Sequence, residues 1–228
     1  MILHMSRSGL EVPVPVKNVH GELQSLQTLV SEDGGVSTKN IVRLLRFIPG
    51  KTFYEIDPWT AEHFHQCGEF VAKMDQSLAT FNHPGYDNRN SIWYLSSIPD
   101  LKNFTFAITD EERKRLSEEI IKDFCDNVKP VESDLEKCII HGDFNEQNIL
   151  CKENPATGKY EISSVIDFGD SNYNPLLYEL AISIMYMMTK CTTMSPVMAG
   201  AHVIAGYIKH RHLTQLERKI IRTCVASR

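Results

Sequence analysis

Residues 139–166 constrain the fold more than any other stretch of the chain. Ile149-Leu150-Cys151 and the run from Tyr160 to Ile166 are short apolar and β-branched segments, and Asn154-Pro155-Ala156-Thr157-Gly158 between them has the composition of a turn. The reading is a β-hairpin. Polar residues gather at both of its outer ends: His141-Gly142-Asp143-Phe144-Asn145-Glu146-Gln147-Asn148 before the first strand, and Asp167-Phe168-Gly169-Asp170 after the second. The outer ends of an antiparallel pair lie side by side, so the hairpin brings both polar clusters to one place.

The segments around this hairpin are mostly helical. Asp57-Pro58 has the form of a helix start, and Phe64, Cys67, Val71, Met74, Leu78 and Phe81 then follow at alternating spacings of three and four. That is one apolar stripe on a helix of about six turns, stopped by Asn82-His83-Pro84-Gly85. Thr109 with Glu112, and Thr214 with Glu217, read as capping boxes for a helix to about Val128 and for a last helix. That last helix carries an apolar face (Leu216, Ile220, Ile221, Cys224) with nothing after it to cover it. The apolar run from Pro175 to Met188 contains Glu179 and is too short to cross a bilayer, so it reads as a buried helix with Met185, Met187 and Met188 as core filler.

The first part of the chain reads differently. Val12-Pro13-Val14-Pro15-Val16-Lys17 suits an extended edge segment, and Leu26–Val30 with Ile41–Phe47 flank Gly34-Gly35 as a second hairpin. Pro49-Gly50 breaks that strand. The break marks the boundary between a small β-rich part and a larger helical one.

Composition excludes several classes of function. A net charge of −5 disfavours a nucleic-acid binder, which needs a basic face. Six dispersed cysteines with no C-x-x-C pair read as reduced thiols of a cytoplasmic protein, not as a disulfide framework or a zinc site. The opening Met-Ile-Leu-His-Met has no basic region of a signal peptide, and no stretch is long enough for a membrane span.

The two polar clusters fit one chemistry. Phosphoryl transfer from a nucleoside triphosphate needs a carboxylate to accept the hydroxyl proton and oxygen ligands to hold Mg²⁺ on the phosphates. Asp143 followed five residues later by Asn148 supplies a base and a ligand from one loop, and Asp167 with Phe168-Gly169 arrives at the same end of the hairpin. From Asp143 to Glu179 seven acidic residues face two lysines, a surplus that would repel a triphosphate unless metal ions intervened.

His-Gly-Asp-x-x-x-x-Asn-Ile-Leu at 141–150, taken with Ile-Asp-Phe-Gly-Asp at 166–170, resembles the aminoglycoside phosphotransferase and choline kinase group of protein-kinase-like folds. The wider wording is similar to the hydroxylysine-phosphorylating branch of that group: Val42-Arg43-Leu44-Leu45, Phe47-Ile48-Pro49-Gly50, Ser91-Ile92-Trp93 and the run from Ala181 to Met188. The resemblance covers nearly the whole chain. It implies an α+β, protein-kinase-like fold, mostly the helical large lobe (residues 49–228), with residues 1–48 as a remnant of the β-rich small lobe and hinge. Asp143 is then the catalytic base, Asn148 and Asp167 are Mg²⁺ ligands, and the backbone of Arg46, Phe47 and Ile48 grips the nucleobase. The implied donor is GTP or ATP. The implied acceptor is a small cationic hydroxyl compound: 5-hydroxylysine, or another amino alcohol such as choline or ethanolamine.

Plainer roles stand beside these. His141 suits loop orientation better than proton chemistry, and Asp170 and Glu179 are candidates either for holding an acceptor amine or for bonding to backbone. His63 and His65 do not share a helix face and are not read as a metal site. A kinase-like fold also uses a glycine-rich loop and a strand lysine over the phosphates. No Gly-x-Gly-x-x-Gly occurs, and only sixteen residues precede Lys17, too few to build that loop before it. The expectation is a chain clipped at both ends, derived from a kinase or acting as a non-catalytic fragment of one.

Overall fold

The computed structural model describes all residues except 32–34, 36 and 88. A short helix, α1 (Ile2–Arg7), opens the chain, with Met5 fully buried beneath it. The proline-rich segment then forms β1 (Pro15–Val16), followed by β2 (Ser25–Val30), β3 (Ser37–Val42) and β4 (Leu44–Leu45). β2 and β3 pair antiparallel from Ser25↔Val42 to Val30↔Ser37, as the second hairpin requires. Gly34 of the expected turn lies outside the described residues.

The strand expected over Ile41–Phe47 divides at Arg43. Its second half, β4, leaves the hairpin to pair with β1, and the Arg46 amide extends that ladder to the Val14 carbonyl at 2.9 Å. Prolines remove donors from β1, so only an edge pairing of this kind is open to it. Leu26, Leu29, Val30 and Ile41 of the hairpin are all more than half exposed.

After Pro49-Gly50 comes β5 (Lys51–Thr52), and then α2 (Ala61–Leu78). The cap of α2 is Thr60, not Asp57: Thr60 Oγ1 accepts from the His63 amide at 3.3 Å and His63 Nδ1 accepts from the Thr60 amide at 3.2 Å. Phe64, Cys67, Val71, Met74 and Leu78 form the expected stripe, each at most 1% exposed. Phe81 falls beyond the helix and packs on the His4 ring at 5.3 Å. The next helix, α3 (Glu111–Asn127), is capped by Asp110, whose Oδ1 accepts from the Arg113 amide at 2.9 Å, one residue later than the Thr109 box predicts.

β6 (Lys137–Ile140), β7 (Ile149–Glu153), β8 (Tyr160–Val165) and β9 (Asn172–Pro175) follow, then α4 (Leu176–Lys190), α5 (Pro196–Tyr207) and α6 (Gln215–Ala226). β7 and β8 are the expected hairpin, and β5 adds to its free edge to give the order β5-β7-β8. β6 and β9 form a separate antiparallel ribbon. α4 is buried along most of its length between α2, α5 and α6. α2 and α5 approach until their backbones nearly touch: a Cβ on Gly68 would lie 1.9 Å from the Val203 carbonyl oxygen.

The Thr214–Glu217 capping box of α6 forms as expected. Ile220 and Cys224 are buried, while Ile221 and Val225 join Ile184, Met188 and Ile204 around an open apolar groove of about 810 Å³. Met187 is core, whereas Met185 and Met188 line this groove. All six cysteines are free thiols. Among the described residues no helix is long and apolar enough to cross a membrane.

Candidate active site

Two loops connect the β6–β9 ribbon to the β7–β8 hairpin, and they meet at the same end. Residues 141–148 run from β6 to β7, and residues 166–171 run from β8 to β9. The Ile166 amide donates to the Asn148 carbonyl at 2.9 Å, and His141 Nε2 donates to the Ile166 carbonyl at 2.9 Å. His141 Nδ1 accepts from the Asp143 amide at 3.2 Å, which fixes the tautomer with its proton on Nε2. The buried imidazole also meets the Phe168 ring edge-on, with centroids 4.9 Å apart.

Gly142 makes this closeness possible. Its φ is +83°, in the left-handed region, and a Cβ there would sit 2.6 Å from the Asp170 carbonyl oxygen. Behind it, Glu179 is fully buried on α4 and its Oε2 accepts from the Gly142 amide at 2.8 Å. Burial raises the Glu179 carboxyl above its ordinary range, against the opposing pull of His141 and the loop amides. Of its two sequence readings, backbone support is the one the structure bears: a group with no exposed surface does not meet an acceptor amine.

Asp143 carries the densest set of contacts. Asn145 Nδ2 and Asn148 Nδ2 donate to Oδ2 at 2.8 and 3.0 Å. Tyr186 Oη and Arg228 Nη2 reach Oδ1 at 3.1 and 3.3 Å. The Asn145 carboxamide oxygen accepts from the Gln147 and Asn148 amides, which holds the turn between Asp143 and Asn148. Asn148 Nδ2 also donates to the Asp143 carbonyl at 3.0 Å, and Oδ1 of Asn148 is left without a hydrogen bond among the described residues.

Asp167 is exposed and adopts φ +61°, the one non-glycine residue at positive φ among those described. Its Oδ1 accepts from the Gly169 amide at 3.2 Å, the local bond that lets aspartate hold such a turn. Arg89 clamps the same loop from outside, donating to the Ser171 and Gly169 carbonyls at 2.6 and 2.8 Å. Asp170 is half-buried, and its carbonyl accepts from Asn172 Nδ2 at 2.7 Å. Among the described residues no group of three or more His, Cys, Asp or Glu side chains gathers as a metal cage. Mg²⁺ on a nucleotide does not require one, because it takes one or two protein oxygens together with phosphate oxygens and water. The free oxygen of Asn148 and the exposed carboxylate of Asp167 fit that requirement.

The hinge residues are less uniform than expected. The Arg46 amide is occupied by Val14 and is not open to a nucleobase, Phe47 is 83% exposed and Ile48 is buried. Beside the Phe168-Gly169 turn lies a pocket of about 360 Å³, with Ile2, Pro15, Arg43 and Arg89 in its wall and none of Arg46–Ile48. Tyr186, Arg228, Asn145 and Arg89 belong to the site without having been read from the sequence. Tyr186 left one signal, a hydroxyl-bearing side chain among the apolar residues Ile184, Met185, Met187 and Met188.

A sequence model described as the phosphotransferase enzyme family matches residues 1–212. Over 211 residues the chain is 35% identical to the hydroxylysine kinase of Bos taurus, covering 90% of this chain and 55% of that protein. It is 24% identical over 215 residues to the homoserine kinase of Granulibacter bethesdensis, covering 94% and 60%. The chain therefore spans a little over half the length of these relatives. Among solved structures it aligns with an amicoumacin kinase in complex with AMP-PNP, Ca²⁺ and Ami, at a TM-score of 0.68 and 16% identity, over 98% of this chain and 64% of that one. A microcompartment-associated aminopropanol kinase aligns equally well, at 0.68 and 17%, over 98% and 67%. These two likenesses are of fold, and they agree with the α+β, protein-kinase-like architecture expected. With the family model matching all but the last residues, this chain belongs to the phosphotransferase enzyme family.

Proposed function

We propose that this site serves a small-molecule kinase, which transfers the terminal phosphoryl of a nucleoside triphosphate to the hydroxyl of an amine-bearing acceptor, hydroxylysine first. One observation carries the reading: the Asp143 carboxylate is held by Asn145 and Asn148 in a loop hydrogen-bonded to the loop of Asp167. The acceptor preference is supported by the 35% identity to a hydroxylysine kinase, and GTP as donor by the resemblance in the sequence. Hydroxylysine and homoserine, the acceptors in the names of the two relatives, share a hydroxyl, an amine and a carboxylate.

In this reading Asp143 accepts the proton of the attacking hydroxyl, and its asparagine partners aim the carboxylate. Asn148 and Asp167 would hold Mg²⁺, whose bound charge offsets that of the phosphates. An amicoumacin kinase of the same fold in complex with AMP-PNP and Ca²⁺ supports a nucleotide and a divalent ion here. The Arg46 carbonyl, with the backbone of Phe47 and Ile48, remains our proposal for the nucleobase contact. Residues 1–48 then belong to the small-lobe side and 49–228 to the large lobe. His141 orients the loops, and Asp170 contributes to the negative field that favours a cationic acceptor. Free thiols throughout suit a reducing compartment such as the cytoplasm.

Calorimetric titration with the Mg²⁺ complexes of non-hydrolysable ATP and GTP analogues, then with hydroxylysine, ethanolamine and a neutral sugar, tests the reading. Nucleotide binding should require Mg²⁺ and be lost in Asp167→Ala, and hydroxylysine should bind tightest. Binding indifferent to both Mg²⁺ and Asp167 would overturn the phosphotransfer site. Preference for ethanolamine or the sugar would overturn only the acceptor.

A further inference from the structure

A carboxylate offers about four lone-pair sites, and in Asp143 four donors already reach them: Asn145, Asn148, Tyr186 and Arg228. An incoming hydroxyl has nowhere to donate until one donor withdraws. The Arg228 contact is the longest, at 3.3 Å against 2.8–3.1 Å for the other three.

Arg228 is itself poorly satisfied. α6 delivers it over the site, where its side chain is only 11% exposed. Nη1 donates to the Trp93 carbonyl at 2.5 Å, while Nη2 is divided between Asp143 Oδ1 and Tyr186 Oη, both at 3.3 Å. Its Nε–H is buried with no partner among the described residues. A guanidinium is a planar fork of five donors that suits bidentate pairing with a carboxylate. Here it shares one oxygen of an aspartate whose other oxygen is claimed by two asparagines. The tyrosine ring beneath it, 5.7 Å from the guanidinium carbon, keeps the cation close to the base.

We propose that Arg228 binds the carboxylate of an amino-acid acceptor, and that turning toward that carboxylate frees Asp143 Oδ1 for the hydroxyl. The proposal rests on the kinase reading and narrows it, from amino alcohols in general to hydroxy amino acids. An acceptor that carries a hydroxyl a few bonds from its carboxylate reaches from the base to the guanidinium. An acceptor without a carboxylate leaves Arg228 on the base and gains nothing from it.

The test compares hydroxylysine with hydroxycadaverine, the same molecule without its carboxylate, by calorimetry in the presence of Mg²⁺ and AMP-PNP. The parent chain should prefer hydroxylysine. Arg228→Gln should raise the hydroxylysine Kd by about 10- to 100-fold, the scale of a lost charge-assisted pair. It should not weaken hydroxycadaverine, whose hydroxyl gains access to Asp143 Oδ1 once the guanidinium is gone, and Arg228→Lys should keep part of the preference. Equal affinity of the parent for the two ligands, or equal weakening of both in Arg228→Gln, would overturn the assignment, while intact Mg²⁺-dependent nucleotide binding would keep the kinase reading. A chain that binds neither ligand nor nucleotide would lose both.

Discussion

Gly142→Ala is the change that most directly probes the contact between the two loops. Two costs act together at this position. An alanine at φ +83° lies in the left-handed region, worth about 1–2 kcal/mol for an L-residue. Its Cβ would also stand 2.6 Å from the Asp170 carbonyl oxygen and 2.7 Å from Asn172 Nδ2, and forced overlap in a packed site costs typically about 1–3 kcal/mol. Together these amount to about 2–5 kcal/mol, or a drop in melting temperature of about 4–20 °C for a chain of this length. Gly158→Ala separates the two costs, because Gly158 has φ +68° in the β7–β8 turn but nothing within 4 Å of an added methyl. It should lose only the conformational part. Thermal unfolding followed by circular dichroism measures both. A Gly142→Ala protein that melts no lower than Gly158→Ala would refute the steric argument, and with it the claim that this glycine lets the Asp143 loop lie against the Asp167 loop.

On the proposed kinase reading, Asp143→Asn should lower turnover with hydroxylysine by about 10²–10⁴-fold in a continuous nucleotide-release assay while nucleotide affinity holds, the range expected for a lost general base. Glu179→Ala should cost about 1–3 kcal/mol in urea unfolding because it strands the Gly142 amide. Glu179→Gln keeps that acceptor and should show the opposite sign at pH 7. Burial raises the Glu179 pKa above its ordinary 4.5, so the folded chain holds this proton more tightly than the unfolded one, and the stabilising effect present below that pH is lost as pH rises. The gain of Glu179→Gln over the parent should therefore vanish in unfolding titrations repeated below about pH 4.5. Gly68→Ala, whose methyl would fall 1.9 Å from the Val203 carbonyl oxygen, should part α2 from α5 and cost at least about 3 kcal/mol in the same titration.

What could be read from the sequence was what lies close together along it. Asp143, Asn148 and Asp167 are separated by one turn and one hairpin, so spacing and strand pairing sufficed to bring them together. The Thr214–Glu217 box is likewise local. The start of α2 was misplaced because histidine takes the part that glutamate or glutamine usually plays in a capping box, a substitution the sequence signature does not anticipate. Arg89 and Arg228 were invisible for another reason. They stand 80 and 85 residues from Gly169 and Asp143, the partners they hold, and only the packing of α6 and of the segment between α2 and α3 brings them in. Glu179 was noticed as a charge in an apolar helix, but its direction, inward to a backbone amide, depends on how α4 is seated.

The two bonds at Ile166 also decide how the site comes apart. Its amide is held by the Asn148 carbonyl and its carbonyl by the His141 ring, so neither loop can open to solvent while the other stays closed. In native-state hydrogen exchange the amides of Asp143, Asn148 and Ile166 should therefore open as one cooperative unit, with a common free energy. The proposed base and its proposed metal ligands are then lost together on local unfolding.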